Sequence, residues 1–181
     1  MGLALSGLTN LHRLELGVAS KNFGIKGFEA IMTGMKQLKT LKALQFRCGV
    51  NRVKVRGAEL LAEVLGGLTE LEQLDLSAVE NDFGDEGVSI LSKAINSLTA
   101  LTYVSLNLGF NNIRSYGLVD IVKMFFKKNL QRLKLNLSNN PLDDKELKLT
   151  LPYLKAIGTR TPSFEFEVLE TTMSQDMVIE L

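Results

Sequence analysis

Apolar residues return along this chain in two alternating rhythms. Five times, three apolar side chains stand two apart: Leu14, Leu16, Val18; Leu44, Phe46, Cys48; Leu74, Leu76, Ala78; Val104, Leu106, Leu108; and Leu133, Leu135, Leu137. Alternation with polar neighbours predicts a strand with one buried face. Between these triplets the spacing widens to three and four, as in Phe28, Ile31, Met35; Ala58, Leu61, Leu65; Val88, Leu91, Ile95; and Leu118, Ile121, Phe125. That is the buried stripe of a helix.

The two rhythms share one register. Gly27, Gly57, Gly87 and Gly117 stand thirty residues apart, and so do Leu8, Leu38, Leu68 and Leu98. The glycines alone are weak evidence for a repeat, because many periods fit a common residue by chance. Further columns at the same step decide it: Leu11, Leu41, Leu71, Leu101, then Leu14, Leu44, Leu74, Val104, with a fifth unit one residue shorter. Three residues past each triplet comes Lys21, Asn51, Asn81, Asn111 or Asn140, and asparagine suits a turn where strand-end backbone groups need partners. Two residues further, Phe23, Val53, Phe83, Ile113 and Leu142 return an apolar side chain to the core. Asp85, Ser115 and Asp144 are placed to cap the helices that follow. The glycine at each helix entry permits either a close approach of helix to sheet or a positive φ.

A recurring strand and helix of this length demands parallel strands joined by right-handed crossovers. One unit cannot stand alone: burying five or six aliphatics at roughly 1.5–3 kcal/mol each does not offset ordering its residues at about 1–2 kcal/mol apiece. The expected fold is an α/β solenoid with a parallel sheet on one side and helices on the other. Its outward strand positions Glu15, Gln45, Asp75, Ser105 and Lys134 are polar, which fits a solvated sheet face.

Leu135-Asn136-Leu137-Ser138-Asn139-Asn140-Pro141-Leu142 and Leu106-Asn107-Leu108-Gly109-Phe110-Asn111-Asn112-Ile113 resemble the Leu-x-Leu-x-x-Asn-x-Leu core of leucine-rich repeats. Phe83-Gly84-Asp85-Glu86-Gly87-Val88 is similar to the helix entry of the ribonuclease-inhibitor-like subfamily. The unit length and the Leu-Asn-Leu wording are similar to repeats of many protist proteins. The units are two residues longer than is usual in that subfamily, and Lys21 departs from the asparagine column. The resemblance implies a horseshoe with the sheet on its concave side and a habit of binding proteins there. It implies no chemistry.

The repeat domain is assigned to residues 1–155, with units starting near Leu8, Leu38, Leu68, Leu98 and Lys127. Ser163 to Leu169 alternates as a strand, giving a C-terminal capping strand within 156–170, and 171–181 reads as an acidic tail. Superposed at two repeat lengths, Met1 falls on Leu61, so the chain is expected to begin inside the helix of a further unit.

Composition narrows function mainly by exclusion. The 181 residues carry a formal net charge of +1, which steers the chain neither to nucleic acid nor to membranes. No apolar run is long enough for a membrane span, and the N-terminus lacks a basic leader region. One histidine, His12, and one cysteine, Cys48, leave no metal cluster or Cys/His pair. His12 reads as a surface residue at a strand entry and Cys48 as a buried apolar one. A lone cysteine favours a cytoplasmic or other reducing compartment. Asn136-Leu137-Ser138 is read as a chance glycosylation tripeptide. No phosphate-loop sequence occurs, and no cofactor is expected.

Charge is patterned by unit. Lys36 to Arg56 holds seven basic residues and no acidic one, whereas Glu59 to Glu86 holds nine acidic residues and no basic one. A second basic stretch runs from Arg114 to Lys134, interrupted only by Asp120. Stacked units turn such runs into neighbouring stripes, which either neutralise one another or dock on a charge-patterned protein. An acidic slice beside a basic one argues against nucleic acid. The larger outward strand residues Arg13, Glu15, Arg47, Asp75, Tyr103, Arg132 and Lys134 are the candidate protein-binding set, since Tyr and Arg are enriched at binding hot spots. The expected function is a non-enzymatic protein-interaction module, a scaffold or peripheral subunit of an assembly. The alternatives are a GTPase-activating regulator of a small GTPase and a substrate-recognition arm of a ubiquitin ligase.

Overall fold

A computed structural model describes residues 2–20 and 23–169. Lys21, Met1 and the stretch read as an acidic tail lie outside them. Six strands, β1 (Arg13–Gly17), β2 (Ala43–Arg47), β3 (Gln73–Ser77), β4 (Tyr103–Asn107), β5 (Arg132–Asn136) and β6 (Ser163–Glu167), form one sheet in sequence order. Every neighbouring pair is parallel. Helices α1 (Gly2–Ser6), α2 (Gly24–Met35), α3 (Lys54–Gly66), α4 (Gly84–Ser97), α5 (Ser115–Phe126) and α6 (Asp144–Arg160) alternate with the strands, each packing on the next.

The sequence columns are the rows of the sheet. Leu14 lies beside Leu44, Leu44 beside Leu74, Leu74 beside Val104, Val104 beside Leu133 and Leu133 beside Phe164. No break falls at residue 155, because α6 runs on to Arg160 and β6 continues the same register as a sixth strand. From β2 to β5 both inward strand columns are buried against the helices. In the first unit Leu14 and Leu16 are only half-buried, and Phe23 is 38% exposed instead of returning to the core. That unit's strand and turn have a stacked strand and turn on one side only, so the burial that closes over Val53, Phe83 and Ile113 is incomplete there.

At the end of each strand the backbone turns through a residue with positive φ: Ser20, Val50, Glu80, Phe110 and Asn139, at φ 53° to 59°. The next residue in four of these turns is an asparagine that is almost wholly buried. Asn111 shows what it does there. Its Nδ2 donates to Leu108 O at 3.1 Å and Gly109 O at 3.0 Å in its own turn, and to Ala78 O at 2.9 Å in the preceding one. Its Oδ1 accepts from Asn81 N at 3.1 Å and Phe83 N at 3.3 Å of that same preceding turn. Asn140 repeats the set on Asn111 and Ile113. Each strand-end carbonyl at Cys48, Ala78 and Leu108 therefore receives two asparagines, one from each of two successive units. The buried Oδ1 of Asn51 has no partner among the described residues.

The glycine column is explained by close approach and not by φ, since none of its members has a positive φ. The contact is made with the returning apolar side chain, four residues earlier, and not with the sheet. A Cβ on Gly57 would sit 2.1 Å from Val53 Cγ2, and one on Gly117 would sit 2.8 Å from Ile113 Cγ2. In the fifth unit Glu146 takes this position and forms a capping box with Asp143.

The helix caps differ from the sequence expectation. Backbone at Phe83 is already helical, so α4 starts before Asp85, whose carboxylate accepts from Arg114 N of the next unit at 2.6 Å. Arg114 stands at the N-cap of α5, and the Ser115 hydroxyl instead donates to Glu146 on α6. The cap of α6 is Asp143, one residue before Asp144. In each case the polar side chain near the helix start serves the neighbouring unit or lies one residue off, because the turn's length is set by the buried asparagine and the apolar residue after it.

Replacing Asn111 by alanine strips donors from three carbonyls and an acceptor from two amides, all buried, and should cost about 3 kcal/mol. Asn51→Ala should cost less, since its Oδ1 is unused among the described residues. Urea unfolding with an unchanged slope checks both. Gly57→Ala should destabilise by roughly 1–3 kcal/mol through overpacking. Gly66→Ala meets open space at the end of α3, and should stabilise by ~0.5 kcal/mol in the same assay.

Candidate functional site

Strand pleating sends alternate residues to the face that no helix among the described residues covers. Three columns cross it: Arg13, Ala43, Gln73, Tyr103, Arg132, Ser163; then Glu15, Gln45, Asp75, Ser105, Lys134, Glu165; then Gly17, Arg47, Ser77, Asn107, Asn136, Glu167. All seven candidate binding residues therefore share one face, and each is exposed or half-buried. They do not form one cluster.

Three groupings result. Glu15 pairs with Arg47 across β1 and β2 at 3.5 Å. The Arg132 guanidinium lies over the Tyr103 ring, 5.4 Å from its centroid, with Nη1 3.4 Å from the phenol oxygen. Lys134 binds Glu165 on β6 at 2.9 Å, and that carboxylate holds the Lys134 ammonium above its usual pKa range. Exposed pairs of this kind are screened by solvent and contribute little, so they order the face without locking it. Arg13, Asp75 and Tyr103 border a hollow of about 310 Å³ between β1 and β4. Ala43, the smallest side chain among the larger members of its column, leaves this depression between Arg13 and Gln73.

Asp75 is held by Gln45, whose Nε2 donates to Oδ2 at 2.7 Å. Gln45 stands in the same outward column as Glu15 and Asp75 but outside the candidate set, and its contact with Asp75 depends on where the two side chains point. Glu165 and Glu167 also lie outside the candidate set. Their alternation was legible, but their place beside Lys134 and Asn136 depends on β6 extending the sheet; Asn136 Nδ2 donates to Glu167 Oε2 at 2.6 Å.

The charge stripes meet each other only in part, through three basic and three acidic residues. Lys36 pairs with Glu63, Lys42 with Glu72 at 3.4 Å, and Arg56 with both Glu59 at 2.8 Å and Glu29 at 3.5 Å. Part of the second basic stretch is structural. Half-buried Lys128 donates to Leu98 O at 2.8 Å and Asn96 O at 3.3 Å, where a cation complements the end of α4. Burial lowers its ammonium pKa. Arg160 does the same for α5, through Phe125 O at 2.9 Å and Phe126 O.

His12 is exposed at the entry to β1, and Cys48 is fully buried beneath the sheet. Burial pushes the Cys48 thiol up to about 12. No helix among the described residues is long and apolar enough to cross a membrane. No protein-family model matches the chain, and no curated protein matches it.

With its pKa near 12, Cys48 should be thiolate to only ~10⁻⁴ at pH 8 and sterically closed. A disulfide reagent at that pH should leave it unmodified in the folded chain and label it fully in urea. Rapid labelling without denaturant would show that the strand row around it opens.

Proposed function

We propose that this chain is a leucine-rich-repeat horseshoe acting as a non-enzymatic protein-interaction module, a scaffold or peripheral subunit of an assembly, and that it binds through the sheet face. The single observation that carries the reading is the uncovered parallel sheet. Parallel sheets are ordinarily covered on both faces, and here, among the described residues, one face stays open across six strands, mostly polar, with a hollow bordered by Arg13, Asp75 and Tyr103. Curvature toward that face follows from dimensions: helices stack about 8–10 Å apart and strands about 4.8 Å apart. A shared stack of both must bend with the sheet inside.

The face suits a protein partner of mixed charge better than a single-sign polymer. Basic Arg13 and the Arg132–Tyr103 stack flank the acidic Asp75, and the acidic Glu165 and Glu167 close the far end. Tyr and Arg are the side chain types enriched at binding hot spots.

Crosslinking with mass spectrometry in native extract tests the reading, with Lys134 as the reporter on the face. A reproducible partner should crosslink there. The triple variant Arg13→Glu, Asp75→Lys, Tyr103→Ala should weaken that partner about tenfold or more, the loss of at least one hot spot, with its melting temperature unchanged. A chain that runs as a free monomer without reproducible crosslinks, or a triple variant that keeps every crosslink, refutes the proposal.

A further inference from the structure

On the opposite side of the molecule, the helices α4 and α5 leave a groove of about 220 Å³ between them. Its size is below the roughly 300–1,000 Å³ of sites for drug-sized molecules, and suits a small polar group. Three lysines, Lys93, Lys123 and Lys127, border it together with one carboxylate, Asp120. None of the three makes an ion pair among the described residues, which is equally true of Lys39, Arg52 and Lys54 in the earlier units, but here three such lysines share one groove.

The floor of the groove holds a second and independent feature. Ser92 is 5% exposed and lines the groove, yet its hydroxyl has no hydrogen-bond partner among the described residues. Other helical hydroxyls in this chain, such as Thr33 and Thr150, bond back to a carbonyl of the preceding turn. The repeat makes Ser92 more conspicuous: the equivalent positions are Met32, Ala62, Val122 and Leu151, all apolar. The Ser92 Oγ is not among the buried atoms left without a partner, so the hydroxyl opens to the groove and is free to donate to, or accept from, a group bound there.

The repeat also supplies an internal comparison. Two units earlier, the groove between α2 and α3 is bridged by Lys36 and Glu63. Stepping sixty residues along the register puts Asn96 in place of Lys36 and Lys123 in place of Glu63. The carboxylate that closes the first groove has become an ammonium in the second, and a single carboxylate, Asp120, stands there against three lysines.

We infer that the α4–α5 groove is an anion site for a phosphate monoester, with Lys93, Lys123 and Lys127 neutralising its charge and the Ser92 hydroxyl and Asn96 side chain hydrogen-bonding its oxygens. Ammonium groups bind phosphate as point charges and tolerate the loose geometry of an open groove. This site is on the helix face and does not rest on the sheet-face reading.

The full chain, labelled with ¹⁵N, is titrated with O-phosphoserine and separately with inorganic phosphate, at constant ionic strength held by sodium chloride. Saturable amide shifts should gather on the facing turns of α4 and α5. Lys123→Glu, which restores the carboxylate found at Glu63, should weaken the response about tenfold or more, as expected for losing a charge-assisted contact. Ser92→Ala should weaken it severalfold without lowering the melting temperature. Tighter binding of O-phosphoserine identifies a phosphorylated side chain as the natural source, and tighter binding of inorganic phosphate identifies the free ion. Shifts spread evenly over distant lysines such as Lys26 and Lys145, or a response that Lys123→Glu leaves intact, overturn the site.

Discussion

The structure depends on the asparagine that closes each turn. A parallel strand that ends at a chain reversal leaves carbonyls pointing into a region where water cannot follow, and unsatisfied groups there are expensive. One buried amide supplies donors to its own turn and to the preceding one, and its oxygen accepts from that same neighbour. Because the bonds cross from unit to unit, no turn is satisfied in isolation. Cooperative stacking is thus built into the hydrogen bonding as well as into the apolar core.

The remaining turn features follow from seating that amide. A left-handed residue directly before it bends the chain inward, even where the side chain is valine or phenylalanine, as at Val50 and Phe110. The apolar residue two positions after it folds under the next helix, and the glycine four residues later gives that side chain room. Such a run of constraints explains why candidate helix caps were misplaced from sequence: Asp85 and Ser115 satisfy polar groups of the adjacent unit instead of their own helix.

Charge illustrates how a one-dimensional pattern changes meaning on folding. The basic and acidic runs are separate in sequence, yet a step of about one unit brings Lys36 to Glu63 and Lys42 to Glu72. Part of what resembled a docking stripe is internal pairing of modest energy. On the helix side, three lysines without an ion pair among the described residues gather around Ser92.

Strand and helix order, the parallel register and the side of the sheet left polar are all legible in the order of residues. A strict repeat makes residues one step apart spatial neighbours, and pleating then sorts inward from outward. The same register brings Arg13, Glu15, Arg47, Asp75, Tyr103, Arg132 and Lys134 to one face, since all lie in outward columns. Which of them meet is fixed by the folded arrangement. Side-chain reach, not column membership, joins Glu15 diagonally to Arg47 and lays Arg132 on Tyr103, and the small Ala43 opens a hollow that no column predicts. The same holds for Ser92, whose place in an apolar column was readable but whose unpartnered hydroxyl was not, because satisfaction of a polar group depends on where every neighbouring side chain points.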